Sequence, residues 1–151
     1  MKYFILTIIT LFMLSCKAKK ATSSETDTSV AQTDEPKAVV LDMNYQQPKE
    51  NGNFEILNAS IDGDILTLEV SYSGGCEEHE FNAYFNGLFM KSMPPKASIF
   101  IHHIDHGDNC RSVVTETLKF QLDAVKSPSK SSDYTVMVGM NGYEGFLTYK
   151  Y

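Results

Sequence analysis

The chain has no tryptophan and no basic stripe, and the second absence removes a class of function. Its 151 residues carry 13 Lys and Arg against 19 Asp and Glu, a formal charge of −6. An acidic surface without a basic stripe repels a phosphate backbone, so nucleic acid is not an expected partner. Gly-x-Ser-x-Gly and the Gly-rich phosphate loop are both missing, and no nucleophile–base pair is recognisable. The chain is therefore not expected to be an enzyme. No window sustains a 3.6-residue apolar period, which argues against amphipathic helices, and there is no internal repeat. The apolar run from Tyr3 to Leu14 spans 12 residues, too short to cross a bilayer as a permanent helix.

That run follows Lys2, and residues 1–15 read as a signal peptide. It ends in Met13-Leu14-Ser15-Cys16, which resembles the lipobox of bacterial lipoproteins, with Met13 departing from the usual leucine. The resemblance implies that Cys16 is acylated and becomes the new N-terminus. Each buried CH₂ of such an anchor contributes about 0.8 kcal/mol. Lys17 stands where an Asp would signal retention in the inner membrane of enterobacteria, so the expected location is the outer membrane, facing the periplasm or the surface. Residues 16–37 contain no aromatic side chain, and Val30 is their only large aliphatic, so they bury too little apolar surface to offset chain entropy and read as a disordered tether. Setting aside the five lysines and four acids of leader and tether leaves the domain, residues 38–151, at a formal −7. Such a domain is held off anionic lipid, and the membrane is a partner through the anchor only.

From Ala38 onward short apolar runs are punctuated by Gly, Asn, Asp and Pro. Leu66, Leu68, Val70 and Tyr72 alternate with Thr67, Glu69 and Ser71, the pattern of a strand with one buried face. Asp62-Gly63, between two such runs, predicts a type I′ hairpin. Further strands are expected at Glu80–Phe85, Ala97–Ile104, Arg111–Leu122 with a break near Glu116, Tyr134–Met140 and Gly145–Tyr151, with an edge strand at Val39–Met43. Pro94-Pro95 should mark a corner, and Asn141-Gly142 or Glu144-Gly145 the last turn. Seven to eight short strands predict an all-β, antiparallel two-layer sandwich of immunoglobulin-like type, with a small barrel as the alternative.

All four histidines and both cysteines beyond Cys16 fall between residues 76 and 110. His79 shares strand parity with Phe81, Ala83 and Phe85, and His103 with Ile99 and Ile101, so both belong to the inward face. Antiparallel pairing of those two strands brings Cys76, His79, His103 and Cys110 to one rim. Outside the cytoplasm the two cysteines are expected to form a disulfide, closing a loop whose entropy corresponds to about 4 kcal/mol. The histidines then cap the core. The alternative is a metal site for zinc or copper drawing on His79, His103, His106 and Asp108, with Cys76 and Cys110 as well if their thiols stay reduced. Met90 and Met93 are soft donors nearby, though methionines at a strand end more often fill core. Asp105 to Asn109 lacks the frame of a calcium loop and reads as a Gly-centred turn. Glu77, Glu78 and Glu80 read as a solvated strand edge.

Gly74-Gly-Cys-x2-His-x-Phe81, His103-x4-Asp-x-Cys110 and the closing Gly142 to Tyr149 stretch together resemble small uncharacterised bacterial lipoproteins over most of residues 54–151. That resemblance implies that Cys76, His79, His103, Asp108 and Cys110 act as a unit, and it carries no activity. The expected function is a non-enzymatic envelope lipoprotein that binds a protein partner or small ligand through loops at one rim, without a cofactor. Metal binding or sensing is the alternative, and exposed tyrosines such as Tyr84 or Tyr143 suggest carbohydrate more weakly.

Overall fold

Alternation of buried and exposed side chains organises almost every element. The computed structural model describes residues 35–127 and 134–151. The leader, Cys16 and the tether up to Asp34 lie outside the described residues. Nine strands are present among the described residues: β1 (Lys37–Ala38), β2 (Val40–Leu41), β3 (Glu55–Asp62), β4 (Ile65–Gly74), β5 (Glu80–Met90), β6 (Lys96–Ile104), β7 (Ser112–Gln121), β8 (Thr135–Met140) and β9 (Leu147–Lys150). They form a four-stranded sheet, β1-β7-β4-β3, and a five-stranded sheet, β2-β5-β6-β8-β9. Leu66, Leu68 and Val70 from the first sheet share one buried core with Phe81, Phe85, Ile99, Ile101, Val136 and Val138 from the second.

The sheets are mixed, where an antiparallel sandwich was expected. Pairs β1–β7, β2–β5 and β6–β8 are parallel. The reason for β6–β8 lies in connectivity. The chain leaves the five-stranded sheet after β6, runs through β7 in the other sheet, and returns as β8 beside β6. Successive strands reverse direction, so the first and third of such a trio are parallel when they become neighbours. The expected edge strand at Val39–Met43 is instead two short pieces, one in each sheet, and Lys37 already belongs to β1. Val39 between them is 4% exposed and joins the core.

Three local expectations also shift. The β3–β4 loop is Gly63-Asp64, since Asp62 pairs with Ile65. Only Gly63 of the two takes positive φ, at 55°, which is the pattern of a type II′ turn. Strand β7 is unbroken at Glu116, because that side chain, on the inward parity opposite Val70, accepts a 3.1 Å hydrogen bond from the Tyr72 hydroxyl. Strand β5 runs on past Phe85 to Met90 through an irregularity before Phe89.

Leu68 is fully buried in the middle of its sheet, paired with Ala59 on one side and Leu118 on the other. Leu68→Ala is expected to lower stability by about 2–5 kcal/mol through lost burial and a residual cavity. Urea unfolding measures this as a lower midpoint at unchanged slope, and a loss under about 1 kcal/mol would show that the site collapses around the missing atoms.

Candidate functional site

Pairing of Glu80 with Ile104 and Phe81 with His103 places the entry of β5 beside the exit of β6. The two loops leaving this rim, 75–79 and 105–111, are joined by a disulfide between Cys76 and Cys110, whose Cα atoms are 6.0 Å apart. Asp108 sits between them. Its Oδ2 accepts the backbone N–H of Cys76 at 2.9 Å and of Glu77 at 3.1 Å, and its Oδ1 accepts that of Cys110 at 2.8 Å. Those donors, Cys110 first, hold its carboxyl well below the usual carboxylate range, against the opposing effect of burial.

Behind Asp108 lies a chain of two imidazoles. His79 Nε2 is 3.2 Å from Asp108 Oδ2, and His79 Nδ1 is 2.8 Å from His103 Nε2. The side chains of His79 and Asp108 are 2% and 1% exposed. Tyr72, from the opposite sheet, stacks on His79 at 4.5 Å, and Phe81 lies parallel to His103 at 4.3 Å. Burial pushes the Tyr72 hydroxyl up to about 12, with the Glu116 carboxylate adding to it. An ionised Asp108 only accepts, so His79 Nε2 carries a proton. With His79 neutral, its Nδ1 accepts from His103 Nε2–H, and His103 Nδ1 is a bare lone pair. That atom is buried and has no hydrogen-bond partner. The backbone of Gly52 and Asn53 lies beside it and favours a proton there, but without hydrogen-bond geometry.

The position of His103 is itself fixed by amides. Pairing with β8 ends at Ile99, and beyond it the edge of β6 is completed by Asn141, which bonds both N–H and C=O of Ile101, and by Asn51, which accepts the N–H of His103. The sequence marked Asn141 as a turn residue only and did not mark Asn51.

Of the proposed metal ligands, His79, His103 and Asp108 come together, whereas His106 does not join them. Its side chain is half-exposed, 3.8 Å from Glu80, at a positive φ of 49°. The Asp105–Asn109 stretch is a tight turn in which Asp105 accepts from Gly107 and Asp108. Met90 and Met93 are exposed and do not fill the core.

A second concavity lies on the outer face of the five-stranded sheet. It is a cleft of about 590 Å³ whose lining includes Tyr45, Gln47, Asn86, Ser98, Phe100, Tyr143 and Phe146. None of its lining residues is charged. Tyr45 stacks on Tyr84 at 4.4 Å, and its hydroxyl is buried without a partner. Burial, with help from Tyr84, pushes that hydroxyl up to about 12. Phe146 lies over Gly139, where a β-carbon would come within 2.9 Å of the ring. The outward residues of β5 and β6, uncharged at Asn82, Tyr84, Asn86, Ser98 and Phe100, were the sequence signal for this face.

Burial lowers the pKa of His103 from its ordinary value. The unfolded chain therefore binds more protons than the folded one as pH falls below about 6.5. Stability contributed by neutral His103 is complete above that pH and is lost on acidification towards the folded pKa. Asp108 is also lowered, but from a carboxylate reference value, so it loses its contribution only below about pH 4 and the two windows separate. Urea midpoints should fall between pH 7.5 and 5.5, and His103→Gln should flatten that slope. An unchanged slope in the variant would show that another group titrates.

No family model and no curated protein matches the sequence. Solved structures do. A NigD-like immunity protein from Bacteroides caccae superposes with a TM-score of 0.50 at 11% identity, covering 70% of this chain and 51% of that one. A protein of unknown function, DUF1344, from Bacteroides vulgatus gives a TM-score of 0.51 at 19% identity, covering 77% of this chain and 55% of that one. The chain thus spans about half the length of the structures it matches, and the likeness is one of fold.

Proposed function

We propose that this protein is an outer-membrane lipoprotein, acylated at Cys16, whose immunoglobulin-like sandwich is a non-enzymatic binding domain facing the periplasm or the surface. The observation that carries the reading is the uncharged cleft. A lining of aromatic rings, amides and a serine hydroxyl offers apolar contact and hydrogen bonds with no charge to neutralise, so its ligand is an uncharged molecule or segment. Its lining holds no His, Cys, Asp, Glu or Lys to act as general base or activated nucleophile, and the Lys96 ammonium beside it is taken up by the Phe146 ring, 4.5 Å from the centroid.

The binding face therefore moves from the rim of the loops, which the disulfide and Asp108 close, to the outer face of the sheet. Twenty-one residues separate Cys16 from Ala38, and the acidic domain avoids anionic headgroups. No helix among the described residues is long and apolar enough to cross a membrane, which agrees with attachment through acyl chains.

Two measurements test this. Metabolic labelling with an alkynyl fatty acid should tag the wild-type chain and not Cys16→Ser, and equal labelling would remove the anchor from the proposal. For the cleft, a panel of neutral and anionic oligosaccharides and peptides is titrated while NMR follows the Tyr45, Tyr143 and Phe146 rings. Neutral compounds should shift these signals, and Ser98→Arg, which sets a cation in the cleft, should abolish the shifts. Binding that survives Ser98→Arg, or a preference for anions, would refute the assignment.

A further inference from the structure

The rim holds a donor set that the cleft does not use. The sulfurs of Cys76 and Cys110 and a carboxylate oxygen of Asp108 all lie within 4.8 Å of one another. His79 Nε2 lies 3.2 Å from the same carboxylate, outside that 4.8 Å group. Two sulfurs, one imidazole nitrogen and one carboxylate oxygen are the ligands of a four-coordinate zinc ion once the sulfurs are thiolates. Gly74 packs directly against two of these donors: a β-carbon there would stand 2.5 Å from His79 Nε2 and 3.1 Å from Asp108 Oδ2, so the absence of a side chain lets both sit where they do.

The second imidazole supports the same reading. A histidine that binds metal through one nitrogen donates the proton on its other nitrogen to a fixed acceptor, which sets tautomer and ring orientation. His79 Nδ1 has such an acceptor in His103 Nε2, 2.8 Å away. With His79 neutral and its Nε2–H on Asp108, the proton runs the other way and leaves His103 Nδ1, which is buried and without a hydrogen-bond partner, as a bare lone pair. With Nε2 of His79 on a metal, Nδ1–H of His79 donates to Nε2 of His103. The Nδ1 of His103, which lies against the backbone at Gly52, then carries the proton. The metal-bound arrangement thus relieves the buried lone pair, as a doubly protonated His79 paired with Asp108 also would.

We propose that the Cys76–Cys110 disulfide is the closed state of a redox-gated zinc site made by Cys76, Cys110, Asp108 and His79, with His103 as the residue that positions His79. A dithiol reductant opens it. Two electrons and two protons pass to the disulfide, the S–S bond breaks, two thiols form, and the reductant becomes a disulfide. One Zn²⁺ then displaces the two thiol protons, while the proton count of the two imidazoles stays constant as their tautomers exchange. The site stands or falls independently of the cleft.

The test uses the full chain carrying Cys16→Ser, so that Cys76 and Cys110 are its only thiols. Oxidised and dithiothreitol-reduced samples are desalted anaerobically, exposed to zinc, and read by native mass spectrometry and elemental analysis. The reduced chain should retain one zinc and the oxidised chain none, and cobalt in place of zinc should give thiolate-to-metal charge-transfer absorption. Cys76→Ser should abolish retention and that absorption. His103→Gln should weaken zinc by about ten- to hundredfold while the disulfide still forms on oxidation. A reduced, folded chain that takes no zinc overturns the proposal. So does equal zinc on the oxidised chain, or a reduced chain whose circular dichroism shows unfolding that zinc does not reverse.

Discussion

The carboxylate of Asp108 is the fastener on which this end of the molecule depends. A buried carboxylate is tolerated only when its lone pairs are filled, and here three backbone N–H groups and one imidazole fill them. The backbone donors come from both sides of the disulfide, so the carboxylate ties together the same two loops that the S–S bond joins covalently. His79 and His103 then carry the polarity inward, stacked against Tyr72 and Phe81. Loop geometry, histidine tautomers and the contact between the two sheets at Tyr72 all follow from where that one carboxylate sits.

Much of this rim was legible in the sequence because strand parity is a strict rule. His79 and His103 carry the parity of their apolar neighbours, and pairing β5 with β6 leaves them no other end of the sheet to occupy. The cysteine pair followed from compartment and count. His106 was misplaced because a cluster in sequence is not a cluster in space. At the tip of a turn, with positive φ, its side chain points out of the group that its neighbours form.

The mixed pairing and the cleft were not legible, and for the same reason. Both depend on which strand lies beside which, and alternation reports only which face of a strand is buried. Val39 illustrates the limit: one apolar residue in a short run implies an edge strand, yet the chain uses it as the point where it passes from one sheet to the other. Glu116 shows the complementary error. A carboxylate on an inward position reads as a break until a hydroxyl from the neighbouring strand, Tyr72, is known to meet it.

Hydrogen-bond accounting narrows what the cleft can offer a ligand. Asn141 lines it, but both its oxygen and its nitrogen are engaged by the backbone of Ile101, so it acts as a wall that finishes the edge of β6. Asn86 has its oxygen engaged by the N–H of Leu88 and keeps its amide protons. Gln47 and Ser98 are committed to nothing among the described residues, and both are exposed. The free polar groups therefore flank the aromatic surface of Tyr45 and Phe100, with the Asn86 amide protons among the donors. A ligand that presents hydroxyl or carbonyl oxygens beside an apolar face satisfies that arrangement, whereas one rich in N–H groups leaves the Asn86 amide protons unpaired.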